Sequence, residues 1–262
     1  MIFLQPSIDP VLFSLGILQI RWYSLAYVAG FILGFYFIKR INNKQQNKIK
    51  DKILDDFFVW SILGVILGGR IGYILFYQTS EIISNPVSII YIWEGGMSFH
   101  GGLIGIIISM LIFSKYKGIK FFYLSDLISG VAPIGLFFGR LANFINTELY
   151  GRVTEFPLAV IYPAIDQLPR HPSQLYEAFF EGLILFVLLR YYRIKYYNNK
   201  SVGLITGLFL IYYGLFRTFI EFLREPDSQI GLMLNLITMG QLLSIPLIIT
   251  GIIIYYKNKF NG

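Results

Sequence analysis

Arg140 stands inside an otherwise apolar stretch, with Asn143 three residues later and Glu148 and Gly151 just beyond. A guanidinium near the middle of a bilayer costs about 2.5 to 3.5 kcal/mol on insertion scales, and less towards the interface, so such residues usually face a protein interior or a ligand. Its planar donors suit an anion held in two-pronged fashion, a carboxylate or a phosphate. Asn143 falls one helical turn on, so its amide shares the arginine's face. Two other readings stay open for Arg140: snorkelling to the interface, and pairing with Glu148.

A second arginine repeats the theme. Arg217 and Glu221 are four residues apart in another apolar stretch and share one face, where a buried ion pair and anion binding are compatible, because the carboxylate can hold the guanidinium in place. Glu177 and Glu181 have the same spacing; Glu177 is read as a supporting partner and Glu181 as a packing residue. His100 is followed by two glycines at the start of a span. Its unperturbed pKa of about 6.5 suits a general base, though it can equally hold a loop or bind a headgroup. His171, directly before Pro172, is read as structural, and Arg70 as a member of a structural pair rather than a headgroup contact.

The elements that must carry these groups are set by composition. Hydrophobic residues make up 55% of the 262 and charged residues only 14%, where soluble domains are about a quarter charged. The mean hydropathy is +0.62. A water-soluble fold is excluded, and one all-α membrane domain over residues 1–262 is expected. With no cysteine, neither disulfides nor thiolate metal sites are available, and any thiol in the chemistry comes from a partner. Two distant histidines make a poor metal site, and no cofactor is expected. The amino-terminal residues lack the basic region and small-residue pattern of a cleaved signal, so the first span is expected to persist.

Apolar stretches fall at about 18 to 38, 57 to 77, 98 to 114, 121 to 145, 173 to 192, 203 to 222 and 233 to 256, which predicts seven spans. Basic residues crowd the first loop (Lys39, Arg40, Lys44, Lys48, Lys50, Lys52), the third (Lys115, Lys117, Lys120), the fifth (Arg190, Arg193, Lys195, Lys200) and the tail (Lys257, Lys259). These regions are expected to face the cytoplasm, with the amino terminus outside and the carboxyl terminus inside. The net charge of +7 then reflects topology and attraction to anionic lipid, and no nucleic-acid partner is expected. In this orientation Arg140, Arg217, Arg70, His100, Tyr23 and Glu177 lie towards the outer side, which predicts one site at the outer leaflet. Gly64, Gly68 and Gly72, like Gly101 and Gly105, repeat every four residues and are read as helix-packing positions. Residues 146 to 172 form the longest outside segment, expected to be loop.

From Gly139 to Gly151 the chain reads Gly-Arg-Leu-Ala-Asn-Phe-Ile-Asn-Thr-Glu-Leu-Tyr-Gly. This run resembles the signature of bacterial prolipoprotein diacylglyceryl transferases at every fixed position. The resemblance extends to Arg21-Trp22-Tyr23, to Gly95 through Gly102, to His171 through Glu177, to Arg217 through Glu221, and to Arg224-Glu225-Pro226-Asp227. It covers essentially the whole chain; the first loop and the tail are variable.

The resemblance implies a multi-pass enzyme of the bacterial plasma (inner) membrane that moves the diacylglyceryl group of phosphatidylglycerol onto the lipobox cysteine of a prolipoprotein. A thioether forms and glycerol phosphate leaves. By the same resemblance Arg140 binds phosphatidylglycerol, Arg217 is a second essential arginine, and His100, Tyr23, Asn143, Glu148, Gly151 and Glu221 match functionally sensitive positions. The chemistry agrees with such roles. Sulfur attack on the glyceryl carbon leaves charge on a phosphate monoester, which two fixed guanidiniums would stabilise in a low-dielectric pocket. A thiol of pKa about 8.5 also gains thiolate from nearby positive charge or a base.

Without the resemblance the competing classes are a small transporter and a noncatalytic lipid-binding protein, since intramembrane charges also mark transport paths. An odd number of spans, no internal repeat and polar residues biased to one side favour interfacial lipid chemistry.

Overall fold

The computed structural model describes residues 3–15, 18–45, 48–78, 87, 96–197, 201–226, 231 and 236–260. Helix falls on each of the seven apolar stretches. Five are long and apolar enough to cross a membrane: Trp22–Asn42, Asp51–Tyr77, Phe99–Lys117, Phe121–Ile145 and Met239–Lys257. Leu204–Ile220 is apolar but only 17 residues long. The remaining stretch is helical from Ser173 to Tyr196 and carries Glu177, Glu181, Arg190, Arg193 and Lys195.

In chain order the elements are β1 (Phe3–Leu4), β2 (Val11–Leu15), β3 (Leu18–Arg21), α1 (Trp22–Asn42), α2 (Asp51–Tyr77), α3 (Phe99–Lys117), α4 (Phe121–Ser129) and α5 (Ala132–Ile145). Then come β4 (Val160–Ile161), β5 (Pro169–Arg170), α6 (Ser173–Glu177), a π-helical segment (Ala178–Ile184), α7 (Leu185–Tyr196), α8 (Leu204–Ile220) and α9 (Met239–Phe260). The fold is all-helical with little sheet, as expected, and short strands replace the expected local structure at two places. Residues 18–21, expected to open the first span, form a strand paired antiparallel with β2 from Val11↔Arg21 to Leu15↔Leu18. Residues 146–172, expected to be plain loop, contribute β4 and β5 to a small sheet of order β1-β4-β5, with Phe3 paired in parallel to Val160. Two-residue strands carry too little periodicity to be read from sequence.

The chain packs as two compact units, Met1–Arg40 with Asp126–Gly262, and Ile41–Ser125. In the second, α2 packs on α3 through the spaced glycines, as expected: a β-carbon at Gly64 would lie 2.7 Å from Ser109 Cβ and 2.9 Å from Gly105 O. Small residues there let the backbones approach, and Ser109 Oγ donates across the interface to Trp60 O at 2.7 Å. Lys117 Nζ meets Asp56 Oδ2 at 3.0 Å at the end of α3.

In the first unit, Leu185 and Leu189 of α7 and Ile205 and Leu208 of α8 form a buried apolar cluster. Asp126 on α4 is fully buried and caps α8 from outside its own helix. Its carboxylate accepts from Gly203 N at 2.6 Å, Thr206 N at 2.8 Å and Thr206 Oγ1 at 2.7 Å. The two backbone N–H groups are donors that a helix start leaves without intrahelical partners. Pro133 lies in the first turn of α5, where its missing N–H removes no helical bond.

Candidate functional site

Four helical segments of the first unit bring three arginines and three glutamates together. Arg140 comes from α5, Glu177 from the end of α6, Glu181 from the π-helical segment, Arg217 from α8, and Glu221 and Arg224 from just beyond it. The approach depends on Gly182: a β-carbon there would lie 2.7 Å from Phe137 Cβ and 2.9 Å from Phe137 Cα on α5. Without that contact the carboxylate face and Arg140 could not come this close.

Glu177 is the junction. Its Oε2 lies 2.9 Å from Arg140 Nε, its Oε1 accepts a hydrogen bond from Arg217 Nη1, and Arg224 Nη1 is 3.6 Å from the same oxygen. Arg217 Nη2 also pairs with Glu221 Oε1, the expected i,i+4 pair, and Arg224 Nη1 lies 3.8 Å from that oxygen. Glu177 and Glu181 have no exposed side-chain surface, while 16% of the Arg140 side chain and 13% of the Arg217 side chain remain accessible. Unpaired, any of these charges would be strongly unfavourable in so dry a setting. Paired, the two guanidiniums are held on the same carboxylate, and part of each side chain remains accessible.

Of the readings left open for Arg140, a direct pair with Glu148 is not made among the described residues; an amide relays the contact. Arg140 Nη1 faces Asn143 Oδ1 at 3.4 Å, as the shared helix face predicted, and Asn143 Nδ2 donates to Glu148 Oε2 at 2.8 Å. Asn146 Nδ2 donates to the other carboxylate oxygen at 3.2 Å. Glu148 sits between two residues in the left-handed region, Thr147 at φ 59° and Leu149 at φ 57°. Non-glycine residues there carry about 1 to 3 kcal/mol of strain each and persist only where surroundings over-determine them. Here they do: Gln174 Nε2 donates to Glu148 O at 2.6 Å, Ser173 Oγ to Leu149 O at 2.7 Å, and Gln5 Nε2 to Phe144 O at 2.6 Å and to Thr147 Oγ1 at 3.0 Å. Tyr162 OH in turn donates to Gln174 Oε1 at 3.0 Å.

Gly151 closes the run at a point of close backbone approach. It bridges antiparallel to Arg224 and its N–H donates to His171 O at 2.9 Å. A β-carbon there would lie 2.5 Å from His171 O and 2.7 Å from Leu223 O. This bridge, with Arg152 Nε donating to Arg224 O at 3.0 Å, anchors the backbone from which Arg224 reaches Glu177. His171 is structural, as expected: its ring lies 3.3 Å from Tyr176 OH, and burial lowers its pKa. Nearby, Arg170 donates to Asp166 at 2.6 Å, stacks over the Tyr150 ring at 5.0 Å, and holds the Asp166 carboxyl below its usual range.

Of the sequence-predicted residues, Arg140, Arg217, Asn143, Glu148, Gly151 and Glu221 therefore fall into one connected network. Tyr23 belongs to the same unit, at the start of α1; its hydroxyl is 3.4 Å from Tyr27 OH and within electrostatic range of Glu148 and Arg140. His100 lies in the second unit, at the exposed start of α3 beside Phe99, where Ser98 Oγ accepts from Gly101 N at 3.2 Å. Arg70, in that unit too, is buried and donates to Gly96 O at 3.5 Å. Gly95 and Asp227 lie outside the described residues, as do most of the second loop and the opening of the seventh stretch.

Three participants escaped the sequence reading. Glu181, taken for a packing residue, is part of the ionic cluster, 3.6 Å from Arg140 Nη2 and 3.9 Å from Arg217 Nη1. Its four-residue spacing from Glu177 was the available signal. Arg224, 3.6 Å from Glu177, and Gly240 are the other two. A β-carbon at Gly240 would lie 2.5 Å from Oε1 of Glu221, so this glycine on α9 makes room for the carboxylate that holds Arg217.

Comparison with known proteins places the chain in a family. Residues 10–257 match the family model described as prolipoprotein diacylglyceryl transferase. The chain is 52% identical over 254 residues to the phosphatidylglycerol–prolipoprotein diacylglyceryl transferase of Rickettsia bellii, covering 97% of each chain. It is 51% identical over 246 residues to the proteins of that name from Rickettsia felis and Rickettsia rickettsii, covering 94% of this chain and 95% of each relative. The arginine–glutamate network at the signature run and a family match spanning nearly the whole sequence lead to one conclusion: this chain belongs to the prolipoprotein diacylglyceryl transferase family.

Proposed function

We propose that the chain transfers the diacylglyceryl group of phosphatidylglycerol to the thiol of a prolipoprotein lipobox cysteine, forming a thioether and releasing glycerol 1-phosphate, the first step of lipoprotein maturation. The observation that carries this reading is the partly accessible Arg140–Arg217 pair, tied together through Glu177. Sulfur attacks the glyceryl carbon, the carbon–oxygen bond to phosphate breaks, and negative charge builds on the departing phosphate. Preorganised guanidiniums aimed at that charge act most strongly in a dry site. Glu177 and Glu221 keep them from turning away, and the chain from Arg140 through Asn143 to Glu148 fixes the rotamer of Arg140.

His100 is the proposed acceptor of the thiol proton, supported by its exposed imidazole and its place in the family's Gly95-to-Gly102 run. Tyr23, Asn143, Glu148, Gly151 and Glu221 are proposed to shape the substrate site. The reading also takes the chain as seven spans in the bacterial inner membrane, amino terminus outside, with the arginine pair towards the outer leaflet. The clustering of Lys and Arg in the first, third and fifth loops and the tail supports that orientation. The family match spans residues of both compact units, which supports one catalytic domain.

The test is transfer of labelled diacylglyceryl from phosphatidylglycerol to a lipobox peptide by purified protein, beside Arg140→Ala and a peptide with its cysteine changed to serine. Thioether product from the unchanged protein and cysteine peptide alone is the expected result. No product from folded protein with both substrates present would overturn the reading.

A further inference from the structure

Counted as fully ionised, the cluster of Arg140, Arg217 and Arg224 with Glu177, Glu181 and Glu221 is neutral. Bringing a phosphodiester anion against the arginines would leave one uncompensated negative charge among buried groups, which a site of this dryness strongly disfavours. One proton on a carboxylate restores neutrality.

The three carboxylates are not equivalent as places for that proton. Glu177 accepts from Arg217 and contacts Arg140 at 2.9 Å. Glu221 pairs closely with Arg217 and lies 3.8 Å from Arg224. Glu181 has no exposed surface, and neither of its oxygens accepts a hydrogen bond. Its nearest guanidinium nitrogens are at 3.6 and 3.9 Å. Received hydrogen bonds and close opposite charges both stabilise an ionised carboxylate, so the one that receives no hydrogen bond among the described residues and has the longest ion-pair distances loses least on protonation. Glu181 also sits in the π-helical segment, a backbone form frequent at functional sites. The charged and titratable groups facing it are Arg140 on α5, Glu177 at the end of α6, Arg217 and Tyr213 on α8, and Arg224 beyond it.

Resting on the reading of the arginine pair as the headgroup site, we infer that Glu181 takes up a proton from solvent when a phosphodiester lipid headgroup occupies Arg140 and Arg217, and returns it when the phosphate product leaves. Glu181 is thus a positioning residue that sets the charge of the arginine pair, separate from the group that accepts the thiol proton.

Calorimetric titration of a short-chain phosphatidylglycerol into the full-length protein tests this, run near neutral pH in two buffers of different ionisation enthalpy and without acceptor peptide. The unchanged protein is expected to take up a proton fraction approaching one per lipid, and Glu181→Gln to bind with buffer-independent heat. Binding without uptake, or equal uptake by Glu181→Gln, would overturn the role of Glu181 while leaving the headgroup site standing. Failure of the unchanged protein to bind the lipid would overturn both. Inorganic phosphate alone giving the same uptake would show the lipid diester is not the trigger, overturning the inference. Should Glu181→Gln not fold, infrared difference spectra of the unchanged protein with carbon-13 glutamate decide the matter. A labelled protonated-carboxyl band must appear on lipid binding, and its absence overturns the inference.

Discussion

Glu177 Oε2 lies 2.9 Å from Nε of Arg140, and this carboxylate, with no exposed surface, also accepts from Arg217. One side chain therefore fixes the separation of two guanidiniums and offsets their mutual repulsion. Removing its charge leaves buried arginines uncompensated, a change worth about 3 to 5 kcal/mol when one partner of a buried pair is lost. Glu177→Gln is expected to lower the thermal unfolding midpoint in detergent and to abolish transfer. An unchanged midpoint would mean that the cluster holds little of the fold together.

Arginine at 140 and 217 is required for its fork as well as its charge. Arg140 uses Nε towards Glu177 and Nη1 towards Asn143, two directions that an ammonium on a flexible stem does not reproduce. Arg140→Lys and Arg217→Lys are each expected to lower kcat by about a hundredfold or more, the scale of losing one preorganised donor. Steady-state transfer assays on folded variants check this, and wild-type-like kcat in either variant would refute it.

Space at Gly240 determines where Glu221 points. Gly240→Ala places a β-carbon 2.5 Å from Glu221 Oε1, pushing the carboxylate off Arg217. Overpacking costs about 1 to 3 kcal/mol, and the part of it that appears in the barrier is expected to lower kcat by roughly fivefold to a hundredfold. The double variant Gly240→Ala with Glu221→Asp shortens the acid by one methylene and is expected to recover part of that loss. A double variant no better than Gly240→Ala alone would sink the steric account.

Gly151→Ala brings a β-carbon 2.5 Å from His171 O and 2.7 Å from Leu223 O, both backbone atoms that cannot rotate aside. The bridge to Arg224 must open, and Arg224 then withdraws from Glu177. Lower thermal stability together with weakened phosphatidylglycerol binding is the expected pair of results, readable by unfolding and by lipid titration. Normal binding would show that the bridge does not position Arg224.

The segment from Arg152 to Arg170 should loosen in acid. Hydrogen bonds from Arg170 hold the Asp166 carboxyl below its usual range, so its contribution to stability is complete above the range of a free carboxyl and is lost as pH falls through the lowered value. Limited proteolysis between Arg152 and Arg170 should accelerate on acidification, and Asp166→Asn should cleave fast at every pH. A cleavage rate independent of pH in the unchanged protein would count against the Asp166–Arg170 pair as the fastening.

The seven helical stretches, the packing of Gly64 against Gly105 and Ser109, the Arg217–Glu221 pair and the Asn143 contact of Arg140 were legible because each depends on composition or on spacing within one or two helical turns. Long apolar runs and i,i+3 or i,i+4 neighbours follow from backbone geometry whatever the tertiary fold. The choice of partner across the chain was not legible. Arg140 turns from the nearby Glu148 to Glu177, and Glu177 reaches Arg217, 40 positions away, because Gly182 and Phe137 fix how α5 meets the π-helical segment. The same holds for Gly240, whose meaning appears only once α9 stands against Glu221. By itself the sequence determined a membrane chain with arginines that need anionic partners and a signature that placed its family. Only the tertiary structure decided which carboxylates answer them, because a buried charge is satisfied by whatever group the packing of helices brings within a few ångströms, and sequence distance does not enter that energy.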